Sequence, residues 1–204
     1  MLQALLRRYA EAQATAVAPF LVGRRVLDLG AGEAYVGAAL TRRGGVSVCS
    51  ADVGAFGRAG GAYAVYDGAR LPFGDATFDT TLILLTLHHC AHAPRVLDEA
   101  VRVTRRRLVV VESVVRNPLD LFWLRLLDGP VNTLRHHGGM APATRFRSPQ
   151  EWRALFEARG LGCVAARRLG SRWERLVHHP LLWALDVQTT SSVREVASPK
   201  RPIE

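Results

Sequence analysis

The sequence predicts a doubly wound α/β fold, with a sheet of about seven strands that is mostly parallel and ends in an antiparallel strand. Three observations carry this expectation. Val26, Leu27 and Leu29 form an apolar run of the kind that suits a central parallel strand covered on both faces. Two glycines, Gly30 and Gly32, follow that run, and an amphipathic helical pattern follows the glycines. A second strand then ends in an acid, Asp52, which completes one βαβ unit of the nucleotide-binding kind.

Residues 2–18 read as an amphipathic helix, not a signal peptide; it ends near Pro19 and is placed to lie over a ligand as a lid. The helix after the glycine turn covers 34–43, carries Val36, Ala39 and Leu40 at helical spacing, and stops at Gly44-Gly45. The second strand covers 46–51. The connection 53–61 is rich in glycine and is expected to be mobile. A short third strand ends near Tyr66, and a fourth spans 80–87. Helix 94–103 has Pro94 in its first turn and Val96, Leu97, Ala100 and Val101 on one face. Arg105, Arg106 and Arg107 read as the turn into a fifth strand, 108–112.

Residues 114–147 are expected to form an inserted cap that decides the substrate. Leu119, Leu121, Phe122, Trp123, Leu124, Leu126 and Leu127 give its helix more apolar positions than one buried face needs. The loop 129–147 is irregular and contains His136 and His137. Helix 149–159 opens after Ser148, a good cap, and buries Trp152, Leu155 and Phe156. Strands 162–169 and 180–187 follow as an antiparallel edge pair. Residues 1–187 thus read as one domain and 188–204 as a disordered tail.

The details of the turn separate the nucleotides. A dinucleotide site uses a third glycine for close helix packing, and Tyr35 stands at that place. Asp28, two residues before Gly30, would oppose a pyrophosphate and favour a cationic ligand. Both features argue against a nicotinamide-dependent oxidoreductase.

These residues resemble the first motif of the class I S-adenosylmethionine-dependent methyltransferases, in which an acid precedes a G-x-G-x-G turn. Asp28, Gly30 and Gly32 match it, and Ala34 replaces the last glycine. The resemblance continues in order through Asp52, through Tyr66-Asp67-Gly68-Ala69-Arg70-Leu71-Pro72-Phe73, and through a fourth strand ending Leu87-His88-His89. It covers roughly residues 20 to 113. It implies a Rossmann-like fold and S-adenosyl-L-methionine as cofactor. The glycine turn, with Asp28, Gly30, Ala31 and Gly32, would face the methionine portion, and Asp52 with Val53 would hold the ribose. Asp67, with Gly68 and Ala69, would receive the adenine amino group, Leu84 would border the site, and Leu71 and Phe73 would offer apolar surface near the base. The alternative for Asp67 is a turn residue before Gly68, and for Asp52 a helix cap; the shared order of the motifs weighs against both.

Composition is consistent with one α/β domain: 204 residues, 49% of them hydrophobic. No apolar run has membrane-spanning length. Cys49, Cys90 and Cys163 suggest neither a disulfide framework nor a zinc knuckle, so a reducing cytoplasm is the simplest expected location. The formal charge of +9 raises nucleic acid as a partner, but the arginines are spread along the chain without interleaved aromatics. RNA methylation therefore stays an alternative to a small-molecule acceptor, and a homodimer is compatible with the apolar helix of the cap. No G-x-S-x-G elbow or phosphate-binding P-loop is present, which sets aside hydrolase and kinase readings.

Methyl transfer is an in-line displacement in which positioning supplies much of the rate, and a base is needed only where the nucleophile carries a proton. His88 and His89 are expected just past the carboxyl end of the fourth strand, with Glu112 ending the neighbouring fifth strand at the same edge. A histidine oriented by Glu112 would accept a proton from a hydroxyl or amine; the alternative is that one histidine caps a segment and the other packs in the core. His136, His137 and Trp123 are the candidates for substrate contact. His88, Cys90 and His92 have metal-like spacing, but Pro94 close behind argues against a helix to present them, and no metal is expected. His178 and His179 are expected at the surface. A protein that keeps the cofactor pocket and only binds a partner is the non-enzymatic reading.

Overall fold

Strands that are apolar at nearly every position must be covered twice, and the sheet is built that way. The computed structural model describes residues 2–124, 126, 143, 145–170 and 179–187. Its strands are β1 (Arg25–Leu29), β2 (Ser47–Asp52), β3 (Ala62–Val65), β4 (Phe78–Leu84), β5 (Thr104–Ser113), β6 (Leu161–Arg168) and β7 (Pro180–Val187). They form one sheet in the order β3-β2-β1-β4-β5-β7-β6. Strands β1 to β5 are parallel, and β7 lies antiparallel between β5 and β6.

One face is covered by α1 (Leu2–Val17) and α2 (Tyr35–Arg43), the other by α3 (Ala93–Val103) and α5 (Pro149–Glu157). Ala14, Val17, Ala39 and Leu40 pack on Val26, Val109 and Val111. On the second face Leu97, Trp152 and Phe156 meet Leu27, Leu29, Val110 and Trp183. The alternation of Val109 and Val111 with Leu108 and Val110 between the two clusters is the period of two expected of a doubly covered strand.

Helix ends follow local chemistry. Helix α5 starts in a capping box, with the Ser148 hydroxyl accepting from the Glu151 N–H and the Glu151 carboxylate accepting from the Ser148 N–H. Helix α1 runs beside α2: Glu11 pairs with Arg42 and Arg43, and the Arg7 guanidinium lies 5.1 Å from the centre of the Tyr35 ring. A helical segment at 118–124, here α4, follows β5. Among the described residues no helix is long and apolar enough to cross a membrane.

The structure corrects several expectations. Strand β4 ends at Leu84, not at 87, because Leu85 takes a left-handed conformation (φ 53°) that breaks the extended chain. Arg105, Arg106 and Arg107 are strand residues and not a turn. Helix α3 passes straight into β5 at Thr104, whose hydroxyl bonds back to the Ala100 carbonyl and is 2.6 Å from the Thr81 hydroxyl. The connection after β2 is tied down: the N–H groups of Arg58 and Ala59 donate to the Glu33 carbonyl, and the Tyr63 hydroxyl donates to the carbonyls of Gly32 and Gly54. His179 is buried, not at the surface, because Asp120 and Arg116 hold its ring at 3.0 and 2.9 Å. The expected tail, 188–204, lies outside the described residues.

Candidate functional site

Strands β1, β2, β4 and β5 all deliver their carboxyl ends to one edge, which brings together residues that are far apart in sequence. Asp28 lies one residue before the end of β1 and is buried beneath α2. Gly37 makes that burial possible: a Cβ at Gly37 would come within 3.0 Å of Ser50 Oγ and 3.4 Å of Asp28 Oδ2. Asp28 Oδ2 has no hydrogen-bond partner. Burial pushes the Asp28 carboxyl up to about 7, the nearby negative charge of Asp52 adds to this, and the Gly37 N–H offsets a part without bonding to Oδ2.

The glycine turn follows from tight packing. Gly30 has φ 75°, and a Cβ there would overlap the Thr86 side chain. The N–H groups of Gly30 and Ala31 donate to the Ala51 carbonyl, and the Gly32 N–H donates to Asp52 Oδ2 at 2.8 Å. Ala34 adopts φ 64° immediately before α2, which places a methyl group where the backbone suits glycine, at a cost of roughly 1–2 kcal/mol.

Asp52 ends β2 with its other oxygen, Oδ1, accepting from the Val53 N–H at 2.7 Å. Asp67 Oδ1 accepts from the N–H groups of Ala69 and Arg70, both at 2.8 Å, which hold its carboxyl below the ordinary range. That is the turn role foreseen for it, and it occupies one oxygen. Val53 is exposed and faces Gly68, where a Cβ would lie 3.4 Å from Val53 Cγ1.

The acids share an environment. Burial, followed by the charges of Asp52, Asp28 and Glu33, holds the Tyr63 phenol above its usual range, and burial, with smaller contributions that include Asp52 and Asp67, raises Tyr66 in the same way. Leu71 belongs to the core, and Phe73 is partly buried against it. Leu71 is buried, and Phe73 packs edge-on against Phe78 at 4.9 Å. Arg102 fixes this stretch by donating to the carbonyls of Leu71 and Phe73 while pairing with Glu99 and Asp75.

The histidines sit where β4 breaks. Leu87–His89 form one turn of 3-10 helix. Glu112, fully buried near the end of β5, takes the N–H groups of Thr86 and Leu87 on Oε1 at 3.0 and 2.6 Å. Its Oε2 lies 2.6 Å from His88 Nδ1. The His88 ring stacks on Phe146 at 5.1 Å and tilts against His89 at 4.1 Å, and the Arg145 N–H donates to the His88 carbonyl. His88 is therefore buried and oriented by Glu112, while His89 is half-buried.

Trp123 is on α4, 44% exposed, with the Phe122 ring 5.4 Å away. Leu119, Phe122 and Leu126 are also exposed, while Leu124 is buried. His136 and His137 lie outside the described residues, as does His178. Among the described residues no three His, Cys, Asp or Glu side chains are grouped to hold a metal. Leu84 closes β4 beside Thr86, whose hydroxyl bonds to the Leu84 carbonyl. Sequence reasoning missed Thr86, Tyr63 and Phe146. The first two are single hydroxyl residues without a motif, and Phe146 lies in a loop with no periodicity.

Residues 27–110 match a family model described as a methyltransferase domain. An uncharacterized methyltransferase of Mycobacterium sp. (strain KMS) is 34% identical over 131 residues, covering 61% of this chain and 50% of that protein. A demethylmenaquinone methyltransferase of Mycobacterium bovis (strain BCG / Pasteur 1173P2) is 40% identical over 96 residues, 44% of this chain and 41% of that one. The chain thus spans about half the length, or less, of these curated relatives. Among solved structures, magnesium protoporphyrin IX methyltransferase from Synechocystis PCC 6803, with bound S-adenosylhomocysteine, shares the fold at TM-score 0.62 and 17% identity, covering 89% of this chain and 83% of that one. The matched segment contains β1 with its glycine turn, the acids that end β2 and follow β3, and the histidines after β4. Residues 27–110 of this chain are thus similar to a methyltransferase domain, and the likeness to the solved structure shows the shared fold.

Proposed function

We propose that the chain transfers the methyl group of S-adenosyl-L-methionine to an oxygen or nitrogen of a small-molecule acceptor. The observation that carries this reading is the buried His88–Glu112 pair at the edge that also holds the glycine turn. The residues present suit the cofactor. A buried carboxylate oxygen lacks a partner at Asp28, and Asp52 closes β2 beside the glycine turn, with Oδ2 on the Gly32 N–H. When bound, the cofactor supplies a methyl group on a positively charged sulfur. Asp28 and Asp52 favour that charge, Asp52 accepts from the ribose hydroxyls, and Asp67 accepts from the adenine amino group with its remaining lone pairs.

His88 takes the acceptor proton. Glu112 receives a proton-bearing Nδ1, which leaves Nε2 as the atom that accepts, and the carboxylate stabilises the imidazolium that forms. Glu112 is a positioning residue in this scheme, and Phe146 holds the ring plane. His89 and Trp123 contact the acceptor, with His136 and His137 as further contacts. The exposed apolar side chains of α4 favour an acceptor with a substantial apolar part. Demethylmenaquinone, named for one relative, belongs in the first acceptor panel beside phenols and amines.

The test is methyl transfer to that panel, paired with calorimetry using S-adenosylhomocysteine and NAD. His88→Gln should lower kcat by about 10²–10⁴-fold while homocysteine-product affinity stays unchanged. Glu112→Gln should lower kcat and shift its pH profile. NAD binding without a response to S-adenosylhomocysteine would overturn the cofactor, and full turnover by His88→Gln would remove the base.

A further inference from the structure

The arginines that look dispersed in sequence converge at the amino edge of the sheet, opposite the site above. Thr104 pairs with Phe78 and Arg107 with Thr80, so three residues of β5 span two of β4, and Arg105 and Arg106 bulge opposite Asp79. Behind them lies a cleft of about 250 Å³ lined by Val22, Arg105, Arg106, Arg107, Asp186 and Val187. The arginines at 24 and 25 reach the same edge, because their N–H groups donate to Asp79 Oδ2 at 2.9 and 3.1 Å.

Charge here is one-sided. Asp186 is paired with Arg107, and Asp79 takes the two backbone N–H groups within the field of Arg105 and Arg106. Among the described residues the guanidiniums of Arg105 and Arg106 make no hydrogen bond or ion pair. Among the described residues, Arg105, Arg106 and Arg107 thus stand against two carboxylates, Asp79 and Asp186. Two unengaged planar forks beside a cleft match the geometry of phosphate oxygens. Among the described residues the cleft lining includes no aromatic ring on which a base could stack, and its apolar part is Val22 and Val187. That composition favours a compact polyphosphate over a nucleic-acid strand. From Arg107 to Glu112 the strand rises roughly 17 Å, so a ligand in the cleft is separate from the methyl acceptor.

The geometry points to an anion site at the amino edge of the sheet, in which Arg105 and Arg106 bind a small oligophosphate or phosphorylated metabolite. Calorimetry of the full chain with sodium tripolyphosphate tests it, against R105S/R106S and against R167S/R168S, which removes the same charge elsewhere. Saturable binding to the wild type, weakened at least about tenfold in R105S/R106S and retained in R167S/R168S, is the expected result. Unfolding midpoints without ligand should agree among the three proteins. No saturable binding, or equal loss in both variants, would overturn the site. Tighter binding of an RNA duplex at matched phosphate concentration, lost in R105S/R106S, would overturn its assignment to a small ligand.

Discussion

Replacing Asp28 by Asn isolates the cost of one buried carboxylate. Burial first, and the charge of Asp52 second, raise this carboxyl from 3.8 to about 7. At about 1.4 kcal/mol per unit, that shift corresponds to about 4 kcal/mol of destabilisation once the group is ionised. The folded chain holds this proton more tightly than the unfolded chain. Its contribution to wild-type stability is therefore full below about pH 4, is lost as pH rises toward 7, and is flat beyond. Asp28→Asn removes the titration but keeps the volume. Any unsatisfied amide N–H it introduces costs the same at every pH. The difference in stability, variant minus wild type, should thus grow by up to about 4 kcal/mol between about pH 4 and pH 8 in urea unfolding without ligand. The other titrating groups are common to both proteins and cancel in the difference. Parallel stability curves across that range would refute the burial argument. The variant should also bind S-adenosylmethionine more weakly than the wild type at about pH 8, where the ionised carboxylate it lacks would attract the cation.

Asp52→Ala should weaken S-adenosylhomocysteine binding by about 1–3 kcal/mol in calorimetry, through lost acceptors for the ribose and a released Gly32 N–H; unchanged affinity would remove Asp52 from the site. Gly30→Ala should cost at least about 2 kcal/mol in thermal unfolding, since a left-handed alanine and an overlap with Thr86 add together. A Tm equal to wild type would mean that the turn does not need glycine.

The parts of the fold legible in sequence were those with a period or a turn chemistry. Val26 to Leu29, the pattern of α3 and the Ser148 cap of α5 each state their own structure locally, and the observed elements follow them. The misread boundaries are tertiary in origin. Nothing local stops β4 at Leu84. The stop comes when Glu112, from a strand formed later in the chain, captures the N–H groups of Thr86 and Leu87 and turns the backbone. The arginine triplet reads as a turn because charged runs usually are; it becomes strand because Thr104 pairs with Phe78 and Arg107 with Thr80 and Asp186, which carries Arg105 and Arg106 along as a bulge. His179 escaped for the same reason, since its partners Asp120 and Arg116 lie some sixty residues away.

The same capture explains why the glycine turn and the histidine behave as one unit. Thr86 donates its N–H to Glu112 and presses its side chain onto Gly30, so the residue that halts β4 also dictates the first glycine of the turn. Glu112 then spends its second oxygen on His88. A carboxylate buried on a strand end would be destabilising alone; with two N–H groups and an imidazole it is fully engaged, and its removal strands all three donors. Loss of Glu112 must therefore disturb the turn through Thr86 as well as the ring of His88. His88→Gln leaves both backbone bonds to Oε1 in place, and an effect confined to kcat in that variant separates the chemistry of the ring from the scaffolding of the acid that holds it.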